Sequence, residues 1–201
     1  MPVLHQMHMS GNCYKIRLAA RQLGVALTLK NYGLHDGTTR KPDFLAKNPN
    51  GRVPLLEFEN GRTLAESGAI LWHLSEDTFL LPADRWARAE ALQWMFFEQY
   101  SHEPNVAVAR FILQFVKHPD DPRLPEKTAG SYRALDVMET HLATRTYFVD
   151  EQYTIADIAL YAYTHVADQA NLDLGRYPAI RAWLARVKAQ PRHIEMPGVD
   201  G

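Results

Sequence analysis

The chain of 201 residues contains a single cysteine, Cys13. One cysteine excludes an intrachain disulfide framework and a zinc site built from several thiolates. No stretch of the sequence approaches the roughly 18 continuous apolar residues of a helical membrane span. The N-terminal residues also lack a basic region followed by a long apolar run, which a secretion signal would need. These absences predict a cytoplasmic protein without a membrane partner.

Charge of one sign is also scarce. The 22 Lys and Arg residues are balanced by 23 Asp and Glu residues, for a net charge of -1. Such a chain has no broad attraction for a polyanion, so nucleic acid is not expected as a partner. The 9 histidines include no HExxH motif and no convincing set of three ligands, and we therefore predict no metal.

The apolar content of 46% is ordinary for a globular protein, and the length suits one large or two small domains. Helical periodicity lapses around Pro82, in the stretch DTFLLPADRW. We therefore predict two domains, 1–77 and 86–201, joined by a linker over 78–85.

The first domain alternates between strand-like and helical patterns. Its apolar runs are short and are bounded by turn residues such as Asn60-Gly61, which indicates a hairpin. In chain order we predict a strand at 2–8, a helix at 13–23, a strand at 26–32, a short helix at 41–47, a strand at 52–58, a strand beginning at 63 and a helix at 66–76. The order βαβ, α, ββα indicates an α+β domain, a small mixed sheet with helices around it.

The sequence beyond Pro82 is helical in character. Apolar residues recur at three- and four-residue spacing over 85–117, 126–143, 154–170 and 177–189, which predicts an all-helical second domain. Pro104 is expected to kink the first of these helices or to lie at a break in it. Thr154 and Asp157 are predicted to form a capping box at the start of the third, a device for stability rather than for function.

Ser10 lies at the junction of the first strand and the first helix, in the sequence Met9-Ser10-Gly11-Asn12-Cys13. Unpaired amides and the positive end of the helix dipole favour an anion there. A serine at this position can donate a hydrogen bond to a substrate thiolate, or it can simply cap the helix. Cys13 is interpreted as core packing, the common situation for a small apolar thiol.

Two further pieces suit a bound peptide. Val53 precedes Pro54, and a cis bond there would leave the Val53 amide and carbonyl able to pair with an extended peptide. The sequence leaves the isomer open. Glu66 and Ser67 stand at the start of a predicted helix, where a carboxylate and a hydroxyl suit an amino-acid head group. Both side chains could instead only cap that helix.

Basic residues are the fourth candidate element of a peptide-binding site. Arg40, Lys41 and Arg52 lie near one another in the chain, and one of them could pair with a carboxylate at the far end of a bound peptide. The alternative is that these side chains are merely solvated.

Together the motifs resemble those of the cytosolic glutathione transferases. They are Ser-x-x-Cys at 10–13, Asn-Pro-x-Gly-Arg-Val-Pro at 48–54, Glu-Ser-Gly-Ala-Ile at 66–70 and Thr-Ile-Ala-Asp-Ile at 154–158, in the family's order over nearly the whole chain. The resemblance implies a thioredoxin-like N-terminal domain that binds glutathione as co-substrate. It also implies an all-α C-terminal domain that lines a second-substrate pocket, and a homodimer.

The resemblance assigns roles to individual residues. Ser10 falls where serine-type members stabilise the glutathione thiolate, and Asn12 falls where some bacterial members use an asparagine; we expect Ser10 to dominate. Tyr14 lies inside the helix, so a tyrosine mechanism is not expected. The implied glutathione contacts are Val53 beside a cis-Pro54 for the cysteinyl part, Glu66 and Ser67 for the γ-glutamyl end, and Arg52 with Arg40 or Lys41 for the glycyl carboxylate.

Tyr100, Arg110 and Phe111, on the first long helix of the second domain, are the expected contacts of a small apolar electrophile. A salt-bridge network between domains or subunits is the alternative for the polar residues. Three functions agree with the resemblance: conjugation of glutathione to an electrophile in detoxification, glutathione-dependent reduction of peroxides or disulfides, and a ligand-binding scaffold without catalysis. We expect conjugation.

Overall fold

The computed structural model describes residues 1–34 and 36–198. Two compact units make up this part of the chain. The first consists of residues 1–78 together with 191–198, and the second of residues 79–190. The linker over 78–85 and the domain bounds given above stay predictions.

The first unit has the element order that the sequence pattern predicts. Its elements are β1 (Val3–Gln6), α1 (Gly11–Leu23), β2 (Thr28–Asn31), a 3₁₀ turn (Thr38–Arg40), α2 (Pro42–Leu45), β3 (Leu55–Glu57), β4 (Thr63–Ala65) and α3 (Ser67–Ser75). The predicted thioredoxin-like order βαβ-α-ββα is confirmed.

The register of the sheet decides where the connecting segments meet. The strands lie in the order β2-β1-β3-β4, with β1 parallel to β2 and β3 antiparallel to both of its neighbours. His5 pairs with Leu55, and Leu55 pairs with Ala65. The chain therefore leaves β1, enters β3 and leaves β4 at one edge of the sheet.

The residues at 191–198 belong to the first unit because they are held by α1. Tyr14, on α1, is fully buried. Its hydroxyl donates a hydrogen bond of 2.7 Å to the Ile194 carbonyl and lies 3.3 Å from Nε2 of His193. A buried tyrosine needs a partner for its hydroxyl, and here the C-terminal segment provides it.

The second unit is all-helical, as predicted. Its α-helices are α4 (Arg85–Phe97), α5 (Glu103–Phe111), α6 (Leu124–Leu142), α7 (Ile155–Thr164) and α8 (Pro178–Lys188). Across residues 1–34 and 36–198, none of the helices has both the length and the apolar character to cross a bilayer.

Pro104 changes the first long helix as the sequence predicts. Between α4 and α5 the chain forms a π-helical turn over Glu98–His102, in which the Glu103 amide donates to the Glu98 carbonyl. Proline has no amide hydrogen and its ring crowds the carbonyl one turn earlier, and the wider turn accommodates both effects. A second π-helical turn, Ile112–Val116, follows α5.

The predicted helix at 154–170 is shorter than expected. α7 ends at Thr164, Val166 leaves the helical conformation, and only a 3₁₀ turn follows, at Ala167–Ala170. The Thr164 hydroxyl donates to the Leu160 carbonyl at 2.7 Å, and Nδ1 of His165 lies 2.8 Å from the Tyr161 carbonyl. These bonds reinforce the last turn of α7, where the His165 amide also donates to the Tyr161 carbonyl at 3.0 Å.

The predicted capping box at the start of α7 is confirmed. The Thr154 amide donates to the Asp157 carboxylate at 2.8 Å, and the Thr154 hydroxyl oxygen accepts from the Ala156 amide at 3.2 Å. Asp157 is fully buried and also accepts from Nε1 of Trp183 at 2.9 Å and from the Phe148 amide at 3.3 Å. Burial raises the pKa of Asp157 to about 6, while these hydrogen bonds act in the opposite direction. The box thus ties α8 to α7.

Substituting Asp157→Ala is expected to lower the free energy of unfolding by roughly 3 kcal/mol or more, because buried donors on Thr154, Phe148 and Trp183 lose their acceptor. Chemical denaturation followed by circular dichroism measures the change. Asp120→Ala, at an exposed position of the same unit, is the control and is expected to stay close to the wild type. A loss below about 1 kcal/mol for Asp157→Ala would contradict this account of the box.

Candidate functional site

Ser10 is the N-cap of α1. Its backbone is extended, and its hydroxyl oxygen accepts a hydrogen bond of 3.4 Å from the Cys13 amide. This bond uses a lone pair of the hydroxyl and leaves its hydrogen available to donate. Ser10 therefore caps α1, and the same hydroxyl can also donate a hydrogen bond to an anion. Ser10 lies at the N-terminal end of α1, which has 13 residues. The positive end of the helix dipole therefore faces Ser10.

Asn12 and Ser67 bring the starts of two helices together. The Ser67 hydroxyl, on the first residue of α3, donates to Oδ1 of Asn12 at 3.3 Å. Ser67 is buried and Asn12 is partly exposed, and α1 packs against α3. The junctions before α1 and before α3 therefore form one site rather than two.

Glu66 is exposed and precedes α3 in an unusual backbone conformation, with φ 68° and ψ 120°. Among the described residues, its side chain makes no capping bond to α3. The simple capping interpretation thus does not account for Glu66. A non-glycine residue with positive φ costs of order 1–3 kcal/mol, and such strain concentrates at functional sites.

The Val53–Pro54 bond is cis, which answers the question that the sequence left open. Asn48 supports the turn before it: its side-chain amide donates to the Arg52 carbonyl at 2.8 Å, and its Oδ1 accepts from the Asn50 amide at 3.1 Å. Because Leu55 pairs with Ala65, the residues before β3 and those after β4 leave the sheet side by side. Val53 thus reaches the same edge as Glu66.

The three basic candidates have different surroundings. Arg40 donates from Nη1 to the Asn50 carbonyl at 2.9 Å, so it braces the turn before Val53. Arg52 and Lys41 are exposed. Lys41 lines a cavity of about 170 Å³ beside α2, together with Lys30 and Lys47.

The candidates for a second-substrate pocket do not share one environment. Tyr100 is 87% exposed, whereas Arg110 is only 3% exposed. Nε of Arg110 donates to Oε1 of Gln169 at 2.7 Å, and its guanidinium lies 5.3 Å from the centre of the Phe115 ring. Phe111 stacks on the same ring at 5.8 Å and is 38% exposed. The structure therefore joins Arg110 to Phe111 through Phe115, and those contacts do not include Tyr100.

Cys13 has the environment expected of a core residue. It is a free thiol that is completely buried, and burial raises its pKa. The interpretation of Cys13 as core packing is confirmed, since a buried neutral thiol is a poor nucleophile. Within residues 1–34 and 36–198, no group of three or more His, Cys, Asp or Glu side chains is arranged to hold a metal ion.

Sequence reasoning missed the buried polar chain beneath α2. Nδ1 of His5 lies 2.7 Å from the Tyr32 hydroxyl, and Nε2 lies 2.7 Å from the Glu57 carboxylate, which also accepts from Lys47. A carboxylate only accepts, so Nε2 carries the hydrogen and Nδ1 accepts from Tyr32. Burial lowers the pKa of His5, in keeping with a neutral ring. A histidine within an apolar strand was the available signal.

Sequence reasoning also missed Arg17, on α1. Its Nη2 donates to the His8 carbonyl at 2.6 Å, and its Nη1 donates to Oε1 of Gln6. Both acceptors lie in or next to the turn that presents Ser10. The signal was weak, because an arginine on a predicted surface helix is usually solvated.

Comparisons with known proteins agree on a family. The family model of the glutathione S-transferase N-terminal domain matches residues 2–76, and that of the C-terminal domain matches residues 91–191. A solved glutathione S-transferase from Pseudomonas fluorescens superposes with a TM-score of 0.95 at 48% identity, covering 98% of this chain and 99% of that one.

Curated relatives include proteins with different names. "Glutathione S-transferase D7" of Anopheles gambiae is 33% identical over 192 residues, which are 93% of this chain and 86% of that protein. "Disulfide-bond oxidoreductase YfcG" of Escherichia coli is 27% identical over 187 residues, 90% of this chain and 87% of that protein.

The turn before Val53 depends on Gly51, which has φ 62°. A Cβ there would lie 2.9 Å from the Thr39 carbonyl oxygen. We expect Gly51→Ala to destabilise the protein by about 2 kcal/mol or more, from backbone strain plus this contact. Gly61→Ala is the matched control, because Gly61 has φ 80° but no atom within 4 Å of a Cβ. Thermal denaturation compares the two variants, and equal losses would show that the contact with Thr39 does not matter.

Proposed function

Since this chain belongs to the glutathione S-transferase family, we propose that it activates the thiol of glutathione at Ser10 and conjugates it to a small apolar electrophile. One observation carries the proposal: a hydroxyl with an available hydrogen caps α1 at the edge of the sheet where the Val53 and Ser67 segments also emerge. Each feature is complementary to one part of glutathione. The Ser10 hydroxyl suits a thiolate, the Val53 segment suits an extended peptide backbone, and the Ser67 segment suits an amino-acid head group.

The thiolate is stabilised at the start of α1. The Ser10 hydroxyl donates to the sulfur, and the amides and dipole of α1 favour the negative charge. Each unit by which the thiol pKa falls corresponds to about 1.4 kcal/mol of preferential binding of the thiolate. The thiol proton leaves to solvent, the sulfur forms a bond to the electrophilic carbon, and that carbon releases its leaving group. Catalysis is mainly activation of the thiol and proximity of the two substrates.

The rest of glutathione is held by residues that do not touch the sulfur. Ser67 binds the γ-glutamyl carboxylate, for which its hydroxyl turns from Oδ1 of Asn12 to the ligand, because a hydroxyl has one hydrogen to donate. Glu66 binds the γ-glutamyl ammonium group. The Val53 backbone pairs with the cysteinyl part. Arg52 or Lys41 faces the glycyl carboxylate. Arg40 is equally exposed, but its Nη1 donates to the Asn50 carbonyl. A two-fold homodimer and a cytoplasmic location, both typical of the family, belong to the same proposal.

A second candidate function is glutathione-dependent disulfide reduction. It is favoured by the relative named as a disulfide-bond oxidoreductase. The placement of Asn12 beside Ser67, 3.3 Å away, also gives the site a second polar group near the start of α1. In this reaction the same thiolate attacks a disulfide sulfur and displaces the other as a thiolate. A second glutathione thiolate then attacks the mixed disulfide, which releases the second substrate thiolate and glutathione disulfide. The role of Ser10 is common to both candidates.

Ser67→Ala is expected to weaken glutathione binding about tenfold or more, the loss of one hydrogen bond to a charged group. Calorimetric titration measures this change, with Ser75→Ala at the other end of α3 as the matched control.

Ser10→Ala is expected to bind glutathione nearly normally but to raise the pKa of the bound thiol towards its free value. The ultraviolet absorbance of the thiolate, followed against pH, measures this pKa. Absence of binding by the wild type at millimolar glutathione would contradict both candidates and favour a scaffold.

Phe111→Ala is expected to raise KM for an aryl halide several-fold and leave the Kd for glutathione unchanged, because Phe111 is proposed to contact the electrophile only. Val137→Ala, on α6, is the control. Parallel assays of aryl-halide conjugation and of disulfide reduction decide between the two candidate reactions. Turnover of disulfides with none of aryl halides would overturn the proposal of conjugation.

A further inference from the structure

Arg17 grips the turn that carries Ser10. Its guanidinium donates from Nη2 to the His8 carbonyl at 2.6 Å and from Nη1 to Oε1 of Gln6. Gln6 is the last residue of β1 and is buried, and its side-chain amide donates in turn to Oδ1 of Asn31 at 2.8 Å. The guanidinium of Arg17 therefore fixes the turn at His8 relative to the ends of two neighbouring strands, β1 and β2.

The start of α1 is bonded to the same turn. The Ser10 amide donates to the Met7 carbonyl at 3.0 Å, and the Cys13 amide donates to the Ser10 hydroxyl oxygen at 3.4 Å. Arg17, one helical turn after Cys13, binds the His8 carbonyl. The backbone from Met7 to Ser10 is therefore held both by its own hydrogen bonds and by the Arg17 side chain.

The grip uses a cation that is partly buried. Arg17 is only half-exposed to solvent, and burial lowers its pKa. Burying part of a guanidinium costs desolvation free energy, which a surface arginine would avoid. The hydrogen bonds to the His8 carbonyl and to Gln6 offset this cost, and both acceptors lie in or next to the turn between β1 and α1.

We infer that Arg17 is a positioning residue for thiol activation: by holding the His8 carbonyl and Gln6, it keeps the 7–10 turn in the conformation that points the Ser10 hydroxyl at the glutathione sulfur. The inference rests on the proposed function. A displacement of a catalytic group by about 1 Å can cost about a hundredfold in rate, so a turn without regular secondary structure needs such an anchor.

Lysine is the informative replacement. It keeps the positive charge and the length of the side chain, but its single ammonium group cannot span two acceptors as a planar guanidinium does. Arg17→Lys therefore removes the fork and leaves the charge. Arg21→Lys, at an exposed position one turn later on α1, is the matched control.

In Arg17→Lys we expect the pKa of the bound glutathione thiol to rise by about one unit and kcat to fall about tenfold. KM for glutathione should change less than about twofold, because Ser67, Glu66 and Val53 still hold the peptide. Arg21→Lys should match the wild type in all three quantities. A merely structural role would instead lower the thermal midpoint and raise KM without moving the thiol pKa. Such a result, or no change at all, would overturn the inference.

A double-mutant cycle with Ser10→Ala separates the inference from the proposed function. If Arg17 acts through the Ser10 hydroxyl, Arg17→Lys has no further effect on the thiol pKa once that hydroxyl is gone. If the pKa rises as much in the Ser10→Ala background as in the wild type, the inference fails while the function of Ser10 stands. If Ser10→Ala itself leaves the thiol pKa unchanged, the proposed function and the inference fail together.

Gln6→Met covers the case in which Arg17→Lys does not fold. It removes the acceptor of Nη1 with little change in side-chain volume and leaves the bond to the His8 carbonyl. We expect a smaller rise of the thiol pKa in the same direction, again absent in the Ser10→Ala background. A folded Gln6→Met protein with a wild-type thiol pKa, alongside an unfolded Arg17→Lys protein, would overturn the inference.

Discussion

The hydrogen bond between Ser67 and Asn12 joins two helix starts that are 55 residues apart in the sequence. It can form only because β1, β3 and β4 pair in a register that brings the end of β1, the start of β3 and the end of β4 to one edge. The short strands are therefore less important for their own stability than for the place where they end. Ser10 follows β1, Val53 precedes β3, and Ser67 follows β4.

Convergence of helix starts gives this edge its electrostatic character. The amides at the start of α1 and α3 are donors without helical acceptors, and the helix dipoles add partial positive charge. A bound anion relieves the deficit of acceptors at such a site. The polar side chains around it are themselves held: Asn48 supports the turn before Val53, and Arg17 supports the turn before Ser10. The site is thus built from irregular segments, each fixed by a buried or half-buried side chain.

The sequence predicted features that depend on local chemistry. The element order, the capping box at Thr154 and Asp157, and the irregularity at Pro104 all follow from residues a few positions apart, and all are found. Features that depend on distant partners were beyond it. The isomer before Pro54 and the positive φ of Glu66 are set by their surroundings, and the carbonyl that Arg17 reaches is set by how α1 lies on β1. Likewise, the sequence places Tyr100 and Arg110 on one long helix as contacts of the same electrophile, but the structure exposes the first and buries the second.

A crystal structure of the chain with glutathione bound would show which residues the sulfur and the two ends of the peptide contact. We expect the sulfur within hydrogen-bond distance of Ser10 Oγ and the γ-glutamyl carboxylate on Ser67 Oγ. We also expect the extended peptide backbone to pair with Val53. A glutathione molecule with its sulfur turned away from Ser10 towards Asn12, or bound elsewhere on the chain, would contradict the account.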